Sequence, residues 1–178
     1  MRWKHTLIGL VLLGTACLTI AAEPQRIAVL DFELNDLAGI TPTPEQELER
    51  TASIAPLIRD ALGRNDGYQL VYIDHQEQAK ANVGFGYLFD HSDEASRLGK
   101  RFDADWIAVG QVHKPSFLFA YLKVRLVNVK TLRPVGDYVV EAKGDARPAT
   151  NRAAGELAEL IDQTIHPRSV RHPPEGVK

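Results

Sequence analysis

Acidic residues and a histidine–lysine pair follow two apolar runs that we predict to be buried strands. Asp31, Glu33 and Asp36 lie at the end of the first run, and His113 and Lys114 lie at the end of the other. In open sheets, ligands bind outside the carboxyl ends of parallel strands, where the strand order reverses. Carboxylate oxygens and an imidazole at that edge suit a metal ion or a small polar ligand. Alternatively, the carboxylates satisfy loop amides and His113 is a solvated strand end.

His91 is a further candidate for the same cluster, because it lies in the polar run Asp90–Glu94. That run also has the pattern of a helix start, with Ser92 as the cap and acidic side chains in the first turn. Such side chains are favoured there by the positive end of the helix dipole. The helix start accounts for the run without any ligand, so both interpretations of His91 stay open.

Aromatic side chains form a second candidate site, for a protein partner. The candidates are Phe117, Phe119, Tyr121, Tyr87 and Phe89. The first three alternate with aliphatic residues along a predicted strand, so they share one face when the aliphatic residues face the core. A contiguous exposed apolar patch is typical of an interaction site, and aromatic residues are enriched in interface cores. Alternatively, the glycine-flanked loop 84–89 or the last helix covers these rings.

The sequence contains none of the common catalytic signatures. There is no Walker loop, no G-x-G-x-x-G, no G-x-S-x-G and no H-E-x-x-H. A Ser–His–Asp arrangement could use Ser92 or Ser116, but nothing in the spacing requires one. We therefore predict a protein that is not an enzyme and needs no cofactor.

The first 22 residues have the order of a secretory signal peptide. Arg2 and Lys4 form a basic start, residues 6–22 are uncharged, and small residues precede the predicted cleavage after Ala22. The uncharged run is shorter than the ~20 residues that span a bilayer. We predict export to the periplasm, with no stable membrane span after the signal is removed.

The only cysteine, Cys17, lies inside this segment. Lipid anchoring through Cys17 is not expected, because Gly14 stands where a lipoprotein signal has a large apolar residue. Of the 21 Lys and Arg residues, loss of Arg2 and Lys4 leaves 19 against 23 acidic residues, a net charge of −4. The mature chain can form no disulfide. It also lacks the basic stripe of a nucleic-acid binder.

The run Asp105–His113 is continuously apolar in its centre, which indicates a strand covered on both faces. Two strand–helix units precede it, and an antiparallel strand pair and a helix follow. The predicted elements are strands at Arg26–Leu34, Tyr68–Asp74, Phe117–Val129 and Val135–Lys143, and a last helix from about Ala149 to Ile165. This predicts a single α/β domain over residues 23–166 with a mixed five-stranded sheet (β-α-β-α-β, an antiparallel pair and a C-terminal helix). The predicted strand order is 2-1-3-4-5, and we expect residues 167–178 to be disordered.

Two details of these elements can be tested separately. In the antiparallel pair, facing Val129 with Val135 places Val124 opposite Val140, with apolar partners on one face. In the first helix, Pro56 cannot donate a backbone hydrogen bond, so we expect a kink or a restart there.

Several segments together resemble a family of exported bacterial domains. That family includes the amino-terminal domain of TolB, the curli-secretion lipoprotein and the lipoprotein activators of penicillin-binding proteins. The segments are Ile27–Phe32, Asp60–Leu62, Tyr68–Asp74, Leu98–Gly99, Ala104–Gly110 and Leu126–Thr131. Three more segments resemble a narrower family of exported bacterial proteins of unknown function: Asp31–Asp36, Gly84–His91 and His113–Leu122. The broad resemblance implies a periplasmic, non-enzymatic domain that binds other proteins.

These observations predict an exported accessory protein that binds a periplasmic or envelope protein through the aromatic strand face. The alternative is a periplasmic binder of a metal ion or small polar ligand at the carboxyl end of the sheet. Exposure of Phe119 and Tyr121 favours the first hypothesis. Convergence of the acidic residues with His91 and His113 favours the second.

Overall fold

A mixed β-sheet with helices on both faces makes up the part of the chain that the computed structural model describes, residues 23–38, 44–116, 118–143 and 147–167. The strands are β1 (Gln25–Val29), β2 (Glu33–Asp36), β3 (Tyr68–Val71), β4 (Trp106–Lys114), β5 (Phe119–Asn128) and β6 (Arg133–Lys143). The helices are α1 (Pro44–Leu62), α2 (His75–Ala81), α3 (Tyr87–Asp90), α4 (Ser92–Arg101) and α5 (Arg147–Ile165).

The strand order is β3-β1-β4-β5-β6, which confirms the predicted order. β1 lies parallel to β3 and β4, whereas β5 pairs antiparallel with both β4 and β6. The sheet has six strands rather than five because the first predicted strand is interrupted after Val29 and resumes as β2, parallel to β4. At the interruption, both backbone groups of Asp31 bond to the side chain of Gln78, at 2.9 Å each, instead of to a neighbouring strand.

One face of the sheet packs against α1 and α5. Its core includes Ile27, Val29, Leu122 and Val124 from the strands, which meet Ile58 and other apolar residues of the two helices. Both helices begin at the same end of the sheet. α1 follows the carboxyl end of β2, and α5 follows that of β6, which runs in the same direction as β4.

The other face packs against α2, α3 and α4 and forms a second core. This core contains Ala28, Ile107 and Val109 of the inner strands and Leu30, which follows β1, together with Leu98 and other residues of the helices. Because apolar residues of β1 and β4 enter both cores, these strands are continuously apolar in sequence, as expected for strands covered on both faces.

The predicted hairpin register is wrong by two residues. Val124 faces Tyr138, and Val140 faces Leu122, so the predicted faces are kept but the partners shift. The loop is shorter than predicted because Asn128 Oδ1 accepts a hydrogen bond from Thr131 N at 2.9 Å, and Leu132 adopts a left-handed backbone with φ of 58°.

Two helical predictions also need correction. The predicted restart at Pro56 is wrong, since α1 continues through Pro56, and Ile54, Ala55 and Ile58 on its inner side are buried against the sheet. The aromatic loop contains a short helix, α3, and α4 already begins at Ser92, with His91 rather than Ser92 at the cap position. The capping role predicted for Ser92 is therefore wrong.

Some sequence predictions lie outside the described residues. These concern the signal peptide over residues 1–22 with Cys17, the aromatic residue Phe117, and the tail from residue 168. Within the described residues, none of the helices combines the length and the apolar character needed to cross a membrane.

Candidate functional site

A buried ion pair lies at the carboxyl end of β4. The Lys114 side chain is only 2% exposed, and its Nζ lies 2.9 Å from Oε1 of Glu47, which is 1% exposed. Asp36 Oδ2, at the end of the neighbouring β2, is 3.7 Å from the same Nζ. Two of the predicted ligand residues, Asp36 and Lys114, therefore meet where the sequence places them. Glu47, which lies closer to Lys114 than Asp36 does, was not predicted.

Helical periodicity places Glu47 in this position. It shares the inner stripe of α1 with Thr51, Ile54 and Ile58, all of which are buried. One turn further on, Arg50 approaches the second carboxylate oxygen of Glu47 at 3.1 Å. A single buried carboxylate therefore lies between two cations. Its place on an apolar stripe is the sequence signal that could have revealed it.

Asp31 and Glu33 hold the loops around the first strand interruption. Asp31 Oδ1 accepts a hydrogen bond from Arg59 at 3.1 Å. Glu33 accepts one from the Asn82 side chain at 2.6 Å and another from the backbone N–H of Gly86 at 2.9 Å. Gly86 has a left-handed φ of 77°, so Glu33 fixes a turn that favours glycine. These contacts match the alternative in which the carboxylates satisfy loop amides.

The two predicted ligand histidines lie in separate local contacts. His91 stacks on Tyr87 with ring centroids 4.2 Å apart. His113 stacks on Tyr121 with ring centroids 6.5 Å apart, and its Nδ1 lies 3.4 Å from the side-chain nitrogen Nδ2 of Asn35. Within residues 23–38, 44–116, 118–143 and 147–167, no three His, Cys, Asp or Glu side chains converge closely enough to hold a metal ion.

Side chains of β4, β5 and β6 form a partly exposed surface on the side of the sheet opposite α1 and α5. We define this open face by its residues His113, Phe119, Tyr121, Lys123, Val139, Glu141 and Lys143. The strand register aligns His113, Tyr121 and Glu141 in one row. Phe119 is 38% exposed and Val139 is 59% exposed. The open face therefore combines aromatic and aliphatic groups with charged ones.

Tyr87 and Phe89 lie beside the open face. Both are half-buried and pack against the second core. The guanidinium of Arg125 lies 4.7 Å from the centre of the Phe89 ring and donates a hydrogen bond to the Phe89 carbonyl at 2.8 Å. Asp137 accepts a further hydrogen bond from Arg125 at 2.6 Å. The aromatic loop thus covers Arg125 and leaves Phe119 and Tyr121 partly exposed.

A separate polar cluster lies at the opposite end of the strands. Tyr68 donates a hydrogen bond to Asp162 at 2.9 Å, and His166 Nδ1 lies 3.1 Å from the same carboxylate oxygen. Burial raises the pKa of the Tyr68 hydroxyl far above its usual range, and the hydrogen bond to Asp162 raises this pKa further. The cluster joins β3 to the end of α5, where it secures the helix to the sheet.

The fold is that of an α/β domain whose mixed sheet is covered by long helices on one face and by short ones on the other. Within that class, the chain belongs to the DUF3280 family, described as a protein of unknown function (DUF2380), which matches residues 25–160. No curated protein matches the chain.

Solved structures share the fold at low sequence identity. TolB from Acinetobacter baumannii is 12% identical with a TM-score of 0.53, and the match covers 82% of this chain but only 29% of TolB. The hypothetical protein CT253 from Chlamydia trachomatis is 10% identical with a TM-score of 0.54, over 82% of this chain and 99% of that one. The C-terminal domain of LpoB from Salmonella enterica reaches a TM-score of 0.46 at 12% identity, over 70% and 87% of the two chains. The predicted resemblance to the TolB kind of domain and to a family of unknown function is confirmed.

Proposed function

We propose that this protein is an exported, non-enzymatic accessory domain of the bacterial envelope that binds another protein through the open face. The observation that supports this most directly is the exposure of Phe119 and Val139 on adjacent strands of an otherwise well-covered sheet. Aromatic groups in a patch with a polar surround are typical of interface centres.

The charges of the open face favour a particular kind of partner. Lys123 and Lys143 stand against the single acidic residue Glu141, whereas the neighbouring Arg125 is already paired with Asp137. A complementary surface carries apolar residues flanked by acidic ones, because complementary charges guide association and exclude other partners. The partner in this proposal is a periplasmic or envelope protein with such a surface.

Export is the second part of the proposal. It depends on the sequence of residues 1–22, with a basic start, an uncharged apolar run and small residues at Ala21 and Ala22. Resemblance to TolB and LpoB, together with this segment, favours a location in the envelope. Lipid anchoring through Cys17 is not part of the proposal.

Site-specific photocrosslinking in the producing cells tests the interaction. A photoreactive residue replaces Phe119, and a matched control replaces Gln163, which is exposed on α5 on the opposite side of the sheet. The proposal predicts one dominant protein adduct from position 119, identified by mass spectrometry, and none from position 163. A second probe at Val139 on the adjacent strand should capture the same protein.

Two results would contradict the proposal. Equal adducts from positions 119 and 163 would indicate nonspecific contact, and no adduct at either 119 or 139 would show that the open face has no partner. As a further check, Tyr121→Ser should weaken the adduct from position 139. Tyr121 lies beside both probes but is not itself replaced by the crosslinker.

A further inference from the structure

The outer edge of β6 is a long strand edge at one end of the sheet. β6 has 11 residues and, within the described residues, pairs with β5 alone. An irregular register opposite Leu126 and Val127 and the residue Pro134 interrupt only its first part, so the stretch Asp137–Lys143 is regular and contains no proline. A regular edge of this length offers backbone N–H and C=O groups to a further strand.

The side chains of this stretch are complementary to a second copy of itself. In an antiparallel pair of identical strands, a two-fold axis beside one residue pairs the residues that lie equally far before and after it. With the axis beside Val140, Asp137 of each copy faces Lys143 of the other copy. On the core side of the sheet, Tyr138 faces the small Ala142. This register therefore gives two pairs of opposite charge and places large side chains opposite small ones.

The charges exclude the two neighbouring registers. With the axis beside Val139, Asp137 faces Glu141, and with the axis beside Glu141, the two copies of Glu141 face each other. Like charges directly opposite one another destabilise a strand pair. Charged residues commonly protect a strand edge against pairing. In β6, however, their order permits the register centred on Val140.

The groups that this pairing needs are accessible. The side chain of Asp137 is 55% exposed although it accepts a hydrogen bond from Arg125, and Lys143 is exposed as well. A groove of about 340 Å³ lies between β6 and α5, with Val140 among the residues that line it. The groove leaves space beside this part of β6 for the same elements of a second copy.

α5 supplies a second complementary pair at the same level of the strand. Arg152 and Glu156 are exposed and line the groove together with Val140. A two-fold axis beside Val140 makes the two copies of α5 antiparallel, which brings Arg152 of one copy toward Glu156 of the other. The helices and the strands are therefore complementary in charge about the same axis.

We propose that two copies of this chain pair antiparallel through their β6 edges, in the register centred on Val140, and form a dimer with one continuous sheet. Strand pairing uses backbone groups, so the side chains of the open face keep their position. The axis is perpendicular to the sheet, and the two open faces therefore lie side by side on one surface. The dimer goes beyond the protein-binding proposal and does not depend on it.

Sedimentation velocity on the purified, processed protein tests the dimer. We expect a reversible equilibrium between monomer and dimer with a Kd of the order of 10 µM, because one strand and one helix of each copy form a small interface. A protein that stays monomeric at about 100 µM, where such an interface is mostly occupied, would overturn the proposal. Open-ended larger assemblies would also overturn it, because a two-fold interface closes at two copies.

Charge reversal tests the register. Lys143→Glu and Asp137→Lys each place like charges across the axis, so each variant alone should raise the dimer Kd at least about tenfold. An equal mixture of the two variants restores both opposite-charge pairs and should dimerise nearly as well as the original protein. Lys130→Glu, in the exposed hairpin turn, is the control and should leave the Kd unchanged. Thermal unfolding of each variant checks that it is folded. A mixture as weakly associated as its components would contradict the register.

Cysteine crosslinking tests the same register without charge reversal. Cys17 lies in the predicted signal peptide, so introduced cysteines are the only thiols of the processed chain. Proteins with Val139→Cys and Glu141→Cys are mixed and oxidised, and the mixed disulfide should dominate because these positions lie directly opposite each other. A dominant disulfide between two copies of the Val139→Cys protein would indicate the register centred on Val139 and contradict the proposal. Adducts at position 119 test the open face separately, so the two proposals can fail independently.

Discussion

Replacing Lys114 by methionine should destabilise the protein strongly. The change removes one cation from the buried group formed with Glu47 and Arg50, while methionine keeps most of the apolar length of the side chain. Removing one partner of a buried ion pair costs about 3–5 kcal/mol, because the remaining charge is left without compensation. Glu47 keeps Arg50 at 3.1 Å, so we expect the lower end, about 3 kcal/mol.

The same reasoning ranks a second variant. Glu47→Gln removes the carboxylate that Lys114 and Arg50 share, and the carboxylate of Asp36 lies farther from Lys114, at 3.7 Å. We therefore expect a larger loss, about 4–5 kcal/mol. The exposed Lys130→Met in the hairpin turn is the control and should stay within about 0.5 kcal/mol of the original protein.

Urea and thermal unfolding measure these losses. For a domain of this size, 3 kcal/mol lowers Tm by about 6–12 °C. The urea midpoint should fall with an unchanged slope, which identifies a change in stability rather than in the unfolded state. A Lys114→Met protein as stable as the Lys130→Met control would refute the reasoning. So would a smaller loss in Glu47→Gln than in Lys114→Met, since Arg50 would then not need the carboxylate.

Three further predictions concern other parts of the fold. Gly110→Ala should lose about 1–3 kcal/mol in urea unfolding, because an added methyl group meets the ring of Phe32, and an unchanged midpoint would contradict this packing. The free energy of unfolding should fall as the pH rises above about 10, because Tyr68 then ionises in the unfolded chain but stays protonated in the folded protein, where its pKa is raised. Tyr68→Phe should flatten this part of the stability–pH profile. Glu33→Ala should speed amide hydrogen exchange in residues 84–90 at least about tenfold, because it removes two hydrogen bonds to the Glu33 carboxylate. Unchanged exchange would show that other contacts hold the turn at Gly86.

The strand order and the buried character of β1 and β4 could be predicted because they depend on local apolar runs and on general rules of chain connection. The interruption of the first strand could not, because it depends on Gln78, which lies 47 residues away and bonds the Asp31 backbone. The hairpin faces were predicted correctly, but the register was not, since two-residue shifts keep the same faces and the turn geometry decides between them.

The candidate site divides in the same way. Asp36 and Lys114 were placed correctly because both lie at the ends of adjacent parallel strands. Glu47 was missed because its pairing with Lys114 joins residues far apart in sequence, and an acidic residue in the first turn of a helix has an ordinary explanation. For Phe119, exposure depends on where the aromatic loop lies, and the sequence left both positions open.

The central claim is that the open face binds a protein, and the affinity of the captured partner tests it most directly. Once crosslinking identifies that partner, its Kd is measured by calorimetry for the original protein, for Phe119→Ala and for the control Gln163→Ala. We predict at least a tenfold weaker Kd for Phe119→Ala, since a central aromatic residue contributes about 1–2 kcal/mol or more to an interface. The control should be unchanged. Equal affinities for all three proteins would contradict the account.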